Sequence, residues 1–151
     1  IYFKKNNLIN YLIGNIFRKT NNHSKSIKYY LSTLNKIAED DFLNVEKRVD
    51  KNQIEPKLFF NLGREYQLLP KNDSALYYYD KFLNLNLLDK ESSRLRAKTY
   101  NNLFAIYRSV DSLRDINKAK LYINKAIDMK HKQGLTSIES VLSRGMMVRP
   151  I

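Results

Sequence analysis

The chain of 151 residues has no cysteine and no tryptophan, four glycines, three prolines and two histidines. Without cysteine there are no disulfides and no thiolate metal sites, which says little about compartment. So few glycines and prolines leave little material for the turns of a sheet architecture, and no period-two alternation of any length occurs. No stretch approaches the roughly 20 apolar residues that a membrane-spanning helix needs. His23 and His131 have no carboxylate or second histidine at metal-ligand spacing, and both are expected at the surface. The carboxylates of Glu39, Asp40 and Asp41, and of Asp89 and Glu91, fall at expected helix ends, where solvated caps are the ordinary outcome. Gly63 stands alone inside an expected helix and forms no phosphate loop. No signature of an enzyme remains, and neither cofactor nor metal is expected.

What the chain does contain is helical periodicity. From Pro56, the residues Phe59, Leu62, Tyr66 and Leu69 lie three and four apart, which makes one apolar stripe. After Pro70 a second stripe follows: Ala75, Tyr79, Phe82 and Leu83. Between them Pro70 to Asp73 can form only a tight turn, so the two helices lie antiparallel. Asp73 is the expected N-cap of the second helix. Gly63 costs a helix interior roughly 1 kcal/mol against alanine, so a close approach is expected there, with small Ala75 as its partner. The same offsets recur upstream in Ile13, Gly14, Phe17, Ser26 and Tyr30, with Asn22 and Ser24 at the turn. They recur downstream in Tyr100, Leu103, Tyr107, Ala119, Ile123 and Ala126, across a longer turn from Arg108 to Ile116. There Phe104 replaces the glycine and is expected to hold the pair further apart. Ile13, Leu62 and Leu103 are 49 and 41 residues apart. The B helices are therefore extended, or a short turn intervenes between Asp41 and Glu55.

This pattern resembles the tetratricopeptide repeat, a helix–turn–helix unit of about 34 residues with an aromatic, Leu-Gly, Tyr, then Ala and further aromatics. The resemblance implies an all-α fold: a right-handed α-solenoid of three hairpins plus a C-terminal capping or partial fourth-repeat helix. The expected repeats span about 5–40, 56–88 and 95–131 of a single domain, with a terminal helix at about 135–144. Ile9, Ile13, Ile16 and Phe17 are the expected buried side of the first A helix. Ile27, Tyr30, Leu31, Leu34 and Ile37 bury the first B helix. Residues 40–55, with Phe42, Leu43, Val45 and Val49, are taken as a helical extension, and Leu85 to Ser93 as a linker before a helix starting at Arg94. Gly145 is an expected helix stop, followed by a loose tail. Because the chain opens on Ile1, flanking segments are expected beyond it.

The net charge of +12 has two readings. One is a nucleic-acid or anionic-membrane surface. The other is a compositional excess of lysine and asparagine. On the A helices, a residue two positions from a core site is turned by about 200°. In the family that side lines an inner groove that binds extended peptides. The positions carried over are Leu8, Tyr11, Leu12, Asn15, Arg18 and Lys19, then Lys57, Phe60, Asn61, Arg64, Gln67 and Leu68, then Lys98, Asn101, Asn102, Ala105, Arg108 and Ser109. They hold six cations, four asparagines and no carboxylate. Such a groove favours an acidic peptide, a free C-terminal carboxylate or an acidic partner domain. Of a carboxylate clamp for chaperone tails, Asn15, Asn61 and Lys98 are present, but Tyr11 and Asn102 stand where cations are needed. Repeats of about 40 residues also resemble those of bacterial sensor and regulator proteins. Lys118, Lys125 and Lys132 share a B-helix face. A nucleic-acid stripe there needs interleaved aromatics, for which Tyr122 is the candidate. A scaffold subunit without a soluble ligand is the further alternative.

Overall fold

The computed structural model describes residues 2–43 and 48–143, and the side chains of 8–39 and 54–134. Six α-helices occur there, and no strand among the described residues. They are α1 (Tyr2–Lys19), α2 (His23–Leu43), α3 (Arg48–Leu68), α4 (Asn72–Asn84), α5 (Lys90–Ser109) and α6 (Ile116–Ser143). Consecutive helices pair as hairpins, α1 with α2, α3 with α4 and α5 with α6, the all-α architecture of a helical-repeat solenoid. The chain divides at Leu87 and Leu88 into two compact units. The first holds two hairpins stacked through α2 and α3. The second holds the third hairpin.

Within each hairpin of the first unit a tyrosine ring lies against a glycine. A Cβ added to Gly14 would fall 2.7 Å from the Tyr30 ring, and one added to Gly63 would fall 2.5 Å from the Tyr79 ring. At Gly63 the nearest atoms to such a Cβ are those of the Tyr79 ring. Both tyrosines are fully buried. Each satisfies its hydroxyl, Tyr30 by donating to Asn15 Oδ1 at 2.6 Å and Tyr79 to Gln67 Oε1 at 2.7 Å. In the third hairpin the glycine position holds Phe104 and the tyrosine position Ile123. Bulk has moved from the B helix to the A helix. Tyr30 also joins Ile27, Ile37, Leu58 and Leu62 in the core of the first unit, so one ring serves the hairpin and the stack together.

The helix limits differ from expectation in physically readable ways. α2 is extended to Leu43, as the long repeat spacing requires. α3 starts at Arg48, so Pro56 stands inside the helix instead of opening it. An internal proline costs about 3 kcal/mol, which the buried Leu58 and Leu62 face must offset. α4 is preceded by Lys71 without a side-chain cap, and Asp73 lies in its first turn, where a carboxylate still complements the helix dipole. α5 begins at Lys90, four residues before Arg94, because Asp89 caps it by accepting from the Ser92 amide at 3.0 Å. The Ser92 side chain first, and then this amide, hold the Asp89 carboxyl below its ordinary range. The terminal segment from residue 135 is helical to Ser143 as a continuation of α6 through Gly134, not as a separate helix. A lone glycine weakens a helix without breaking it. Gly145, the tail from Met146, and the side chains of Phe42, Leu43, Val45, Val49, Leu135 and Ile138 lie outside the described residues.

Ile9 and Ile16, expected in the core, are 49% and 60% exposed. Their counterparts 49 residues on, Leu58 and Glu65, are buried in the stack with α2. No helix of this unit covers α1 in the same way. Glu65 is a buried charge in this stack. Its Oε2 lies 2.6 Å from Nδ1 of His23, the first residue of α2, while Oε1 has no hydrogen-bond partner among the described residues. His23, expected on the surface, instead joins the two hairpins.

Two pairs of substitutions test this packing by urea unfolding followed by circular dichroism. Gly63→Ala is expected to lower stability by about 1–2 kcal/mol, since its Cβ meets a locked ring. Gly134→Ala, with nothing within 4 Å, is expected to raise it by up to about 1 kcal/mol. A shift of the same sign in both would contradict the ring-on-glycine account. His23→Ala, which strands the Glu65 carboxylate, is expected to cost about 1–3 kcal/mol. Glu65→Leu, which completes the apolar stripe, should cost less; the reverse order would show that the pair does not join the hairpins.

Candidate peptide-binding surface

The candidate groove residues are carried by the A helices α1, α3 and α5. In the first unit Asn15 and Arg18 lie on α1, and Lys57, Asn61 and Arg64 on α3. In the second unit Lys98, Asn101, Asn102 and Arg108 lie on α5. Arg64, Lys98 and Arg108 are exposed, and the other six are half-buried. Helical spacing accounts for the outward reach of Arg64, Lys98 and Arg108, which lie off the stripe that meets the partner helix.

Asn15 and Arg18 come together at Tyr30. Asn15 accepts the Tyr30 hydroxyl proton, and the Arg18 guanidinium lies close enough to act on its titration. Burial raises the Tyr30 pKa above its ordinary value, while Ser26 and Arg18 oppose that shift. Arg18 Nε is itself buried without a hydrogen-bond partner among the described residues. Asn15 is thus engaged in holding a core ring, and Arg18 is partly drawn into the same pocket. Arg108 lies over the Phe104 ring at 5.2 Å, a cation–π contact at the end of α5.

Two of the wider set of inner-face positions serve the fold. Phe60 is 6% exposed and packs edge-on to Phe82 at 6.2 Å, so it belongs to the core. Gln67 holds the Tyr79 hydroxyl. Leu8, Leu12 and Leu68, by contrast, are about half exposed and add apolar surface beside the cations.

The His23–Glu65 contact escaped sequence reasoning because its members are 42 residues apart, one in an expected turn. The available signal was Glu65 itself, a charge placed between Leu62 and Leu69 on a core-facing stripe. Among the described residues no group of three or more histidine, cysteine, aspartate or glutamate side chains could hold a metal ion. No described helix is long and apolar enough to cross a membrane.

Residues 9–32, which run from the middle of α1 across the turn into α2, match the family model of the tetratricopeptide repeat. Neither a curated protein nor a solved structure matches the chain. The match falls on the hairpin in which Gly14, Ser26 and Tyr30 make the inter-helix contacts. Ser26 donates to the Gly14 carbonyl at 3.0 Å there. This match supports a tetratricopeptide repeat in the first hairpin and, with it, a protein–protein interaction module.

Proposed function

We propose that the A-helix faces of this chain bind an acidic peptide, a carboxylate-bearing peptide end or an acidic partner domain, as part of a larger bacterial signalling or regulatory protein. The observation that carries this reading is the composition of the inner-face positions, which hold six cations and four asparagines and lack any carboxylate in a chain with 15 acidic residues. Exposed Arg64, Lys98 and Arg108 supply charge-assisted hydrogen bonds to carboxylates. Asn61, Asn101 and Asn102 bring amide groups suited to an extended peptide backbone. Binding of this kind needs no chemical step.

The test is fluorescence anisotropy with a labelled oligoglutamate peptide bearing a free C-terminal carboxylate. Arg64→Glu and Lys98→Glu are each expected to weaken binding by about tenfold, equivalent to about 1.4 kcal/mol, and together to abolish it. Unchanged affinity in the double variant would overturn this reading.

A further inference from the structure

Every hairpin stacks an A-helix aromatic on a B-helix tyrosine. The pairs are Phe17–Tyr29 at 5.5 Å and 20°, Tyr66–Tyr78 at 5.6 Å and 4°, and Tyr107–Tyr122 at 5.8 Å and 10°. In the second hairpin the pair is absorbed by the protein interior, since Tyr66 and Tyr78 pack against the cluster around Leu58 and Leu62. The stack by itself is therefore a packing device.

The third hairpin adds two things to it. Tyr100, seven residues before Tyr107 on α5, brings a third ring to 6.0 Å from Tyr122 at 26°. Two exposed lysines of α6 lie on the rings: Lys118 Nζ is 5.1 Å from the Tyr107 centroid, and Lys125 Nζ is 5.6 Å and 5.7 Å from Tyr100 and Tyr122. Lys118, Tyr122 and Lys125 are spaced four and three apart, hence on one helix face. Tyr100 and Tyr107, like Lys118 and Lys125, are separated by two helical turns, about 10.5 Å. The result is a column of three half-buried rings with ammonium groups set along it.

We propose that this lysine–tyrosine column is a binding surface for a single-stranded polynucleotide. Its two components answer to the two parts of that ligand. Ring faces accept unpaired bases of any sequence, and lysines set along the rings meet the phosphates. A duplex hides its base faces within its own stack, and an acidic peptide would use the ammonium groups while leaving the rings idle. Lysine is a flexible point charge. Lys118 and Lys125 lie against the rings in the free protein, and they swing to phosphate when a base takes their place. Lys25 over Phe17 at 5.3 Å is the internal control, with the same contact but one lysine and two rings.

The experiment measures anisotropy of labelled oligouridine, an RNA duplex of equal length and oligoglutamate with the full chain. Oligouridine is expected to bind at least about tenfold tighter than the duplex. Lys118→Ala with Lys125→Ala is expected to weaken it by about tenfold or more and to make the slope of log K against log salt shallower by about 1.4. Tyr100→Leu should weaken it by about fivefold or more, with unchanged far-UV circular dichroism, while Lys25→Ala changes it by less than about twofold. Duplex binding equal to oligouridine, an equal loss of oligoglutamate and oligouridine binding in the Lys118→Ala, Lys125→Ala double variant, or an equal effect of Lys25→Ala would each overturn the proposal. Arg64→Glu is expected to leave oligouridine binding unchanged, which separates this surface from the peptide-binding face.

Discussion

The first unit depends on one contact, a tyrosine ring laid against a glycine on the facing helix. Only a residue without a Cβ lets Tyr30 and Tyr79 come so close to α1 and α3. The ring then removes a large apolar area from water, and its hydroxyl donates to Asn15 or Gln67 on the facing helix. Ser26 adds a hydrogen bond to the Gly14 carbonyl beside it. Because the Tyr30 ring also touches the cluster containing Leu58 and Leu62, the contact that closes one hairpin prepares the surface that receives the next. In the third hairpin the corresponding positions hold Phe104 and Ile123, volume having passed from one helix to the other.

Charge is distributed around this apolar framework in two distinct ways. Among the described residues one carboxylate, Glu65, is buried in the stack and is met by His23, so the junction between hairpins carries a directional polar contact as well as shape. Two sets of cations around the framework differ in chemistry. Those on the A helices stand among asparagines, an arrangement suited to peptide backbone and carboxylate. Lys118 and Lys125 on α6 stand among rings, an arrangement suited to flat, unpaired bases with phosphate between them. Net charge alone cannot separate these two surfaces, because it sums them.

Much of the fold was legible in residue spacing. Stripes three and four apart marked the helices, short polar segments marked the turns, and the recurring glycine-to-tyrosine offset marked the hairpins. Pro56 misled because α3 continues through it, and Asp73 because α4 begins one residue before it. The Asp89 cap starts α5 ahead of the expected Arg94. The helix expected at about 135–144 is continuous with α6, since a lone glycine costs less than continuing a helix gains. Ile9 and Ile16 misled because periodicity identifies an apolar face without saying whether anything lies against it.

The sequence by itself determined the helices, their antiparallel pairing and the absence of acid from the inner A-helix positions, since each follows from spacing within a few turns. Only the tertiary structure decided that the Tyr79 ring fills the space left by Gly63, that His23 meets Glu65, and that Tyr100 and Tyr107 stand beside Tyr122 and its lysines. Those contacts join residues 15 to 42 positions apart on different helices. Their partners are chosen by the rotation and depth of one helix against another, which depend on the packing of all the side chains between them.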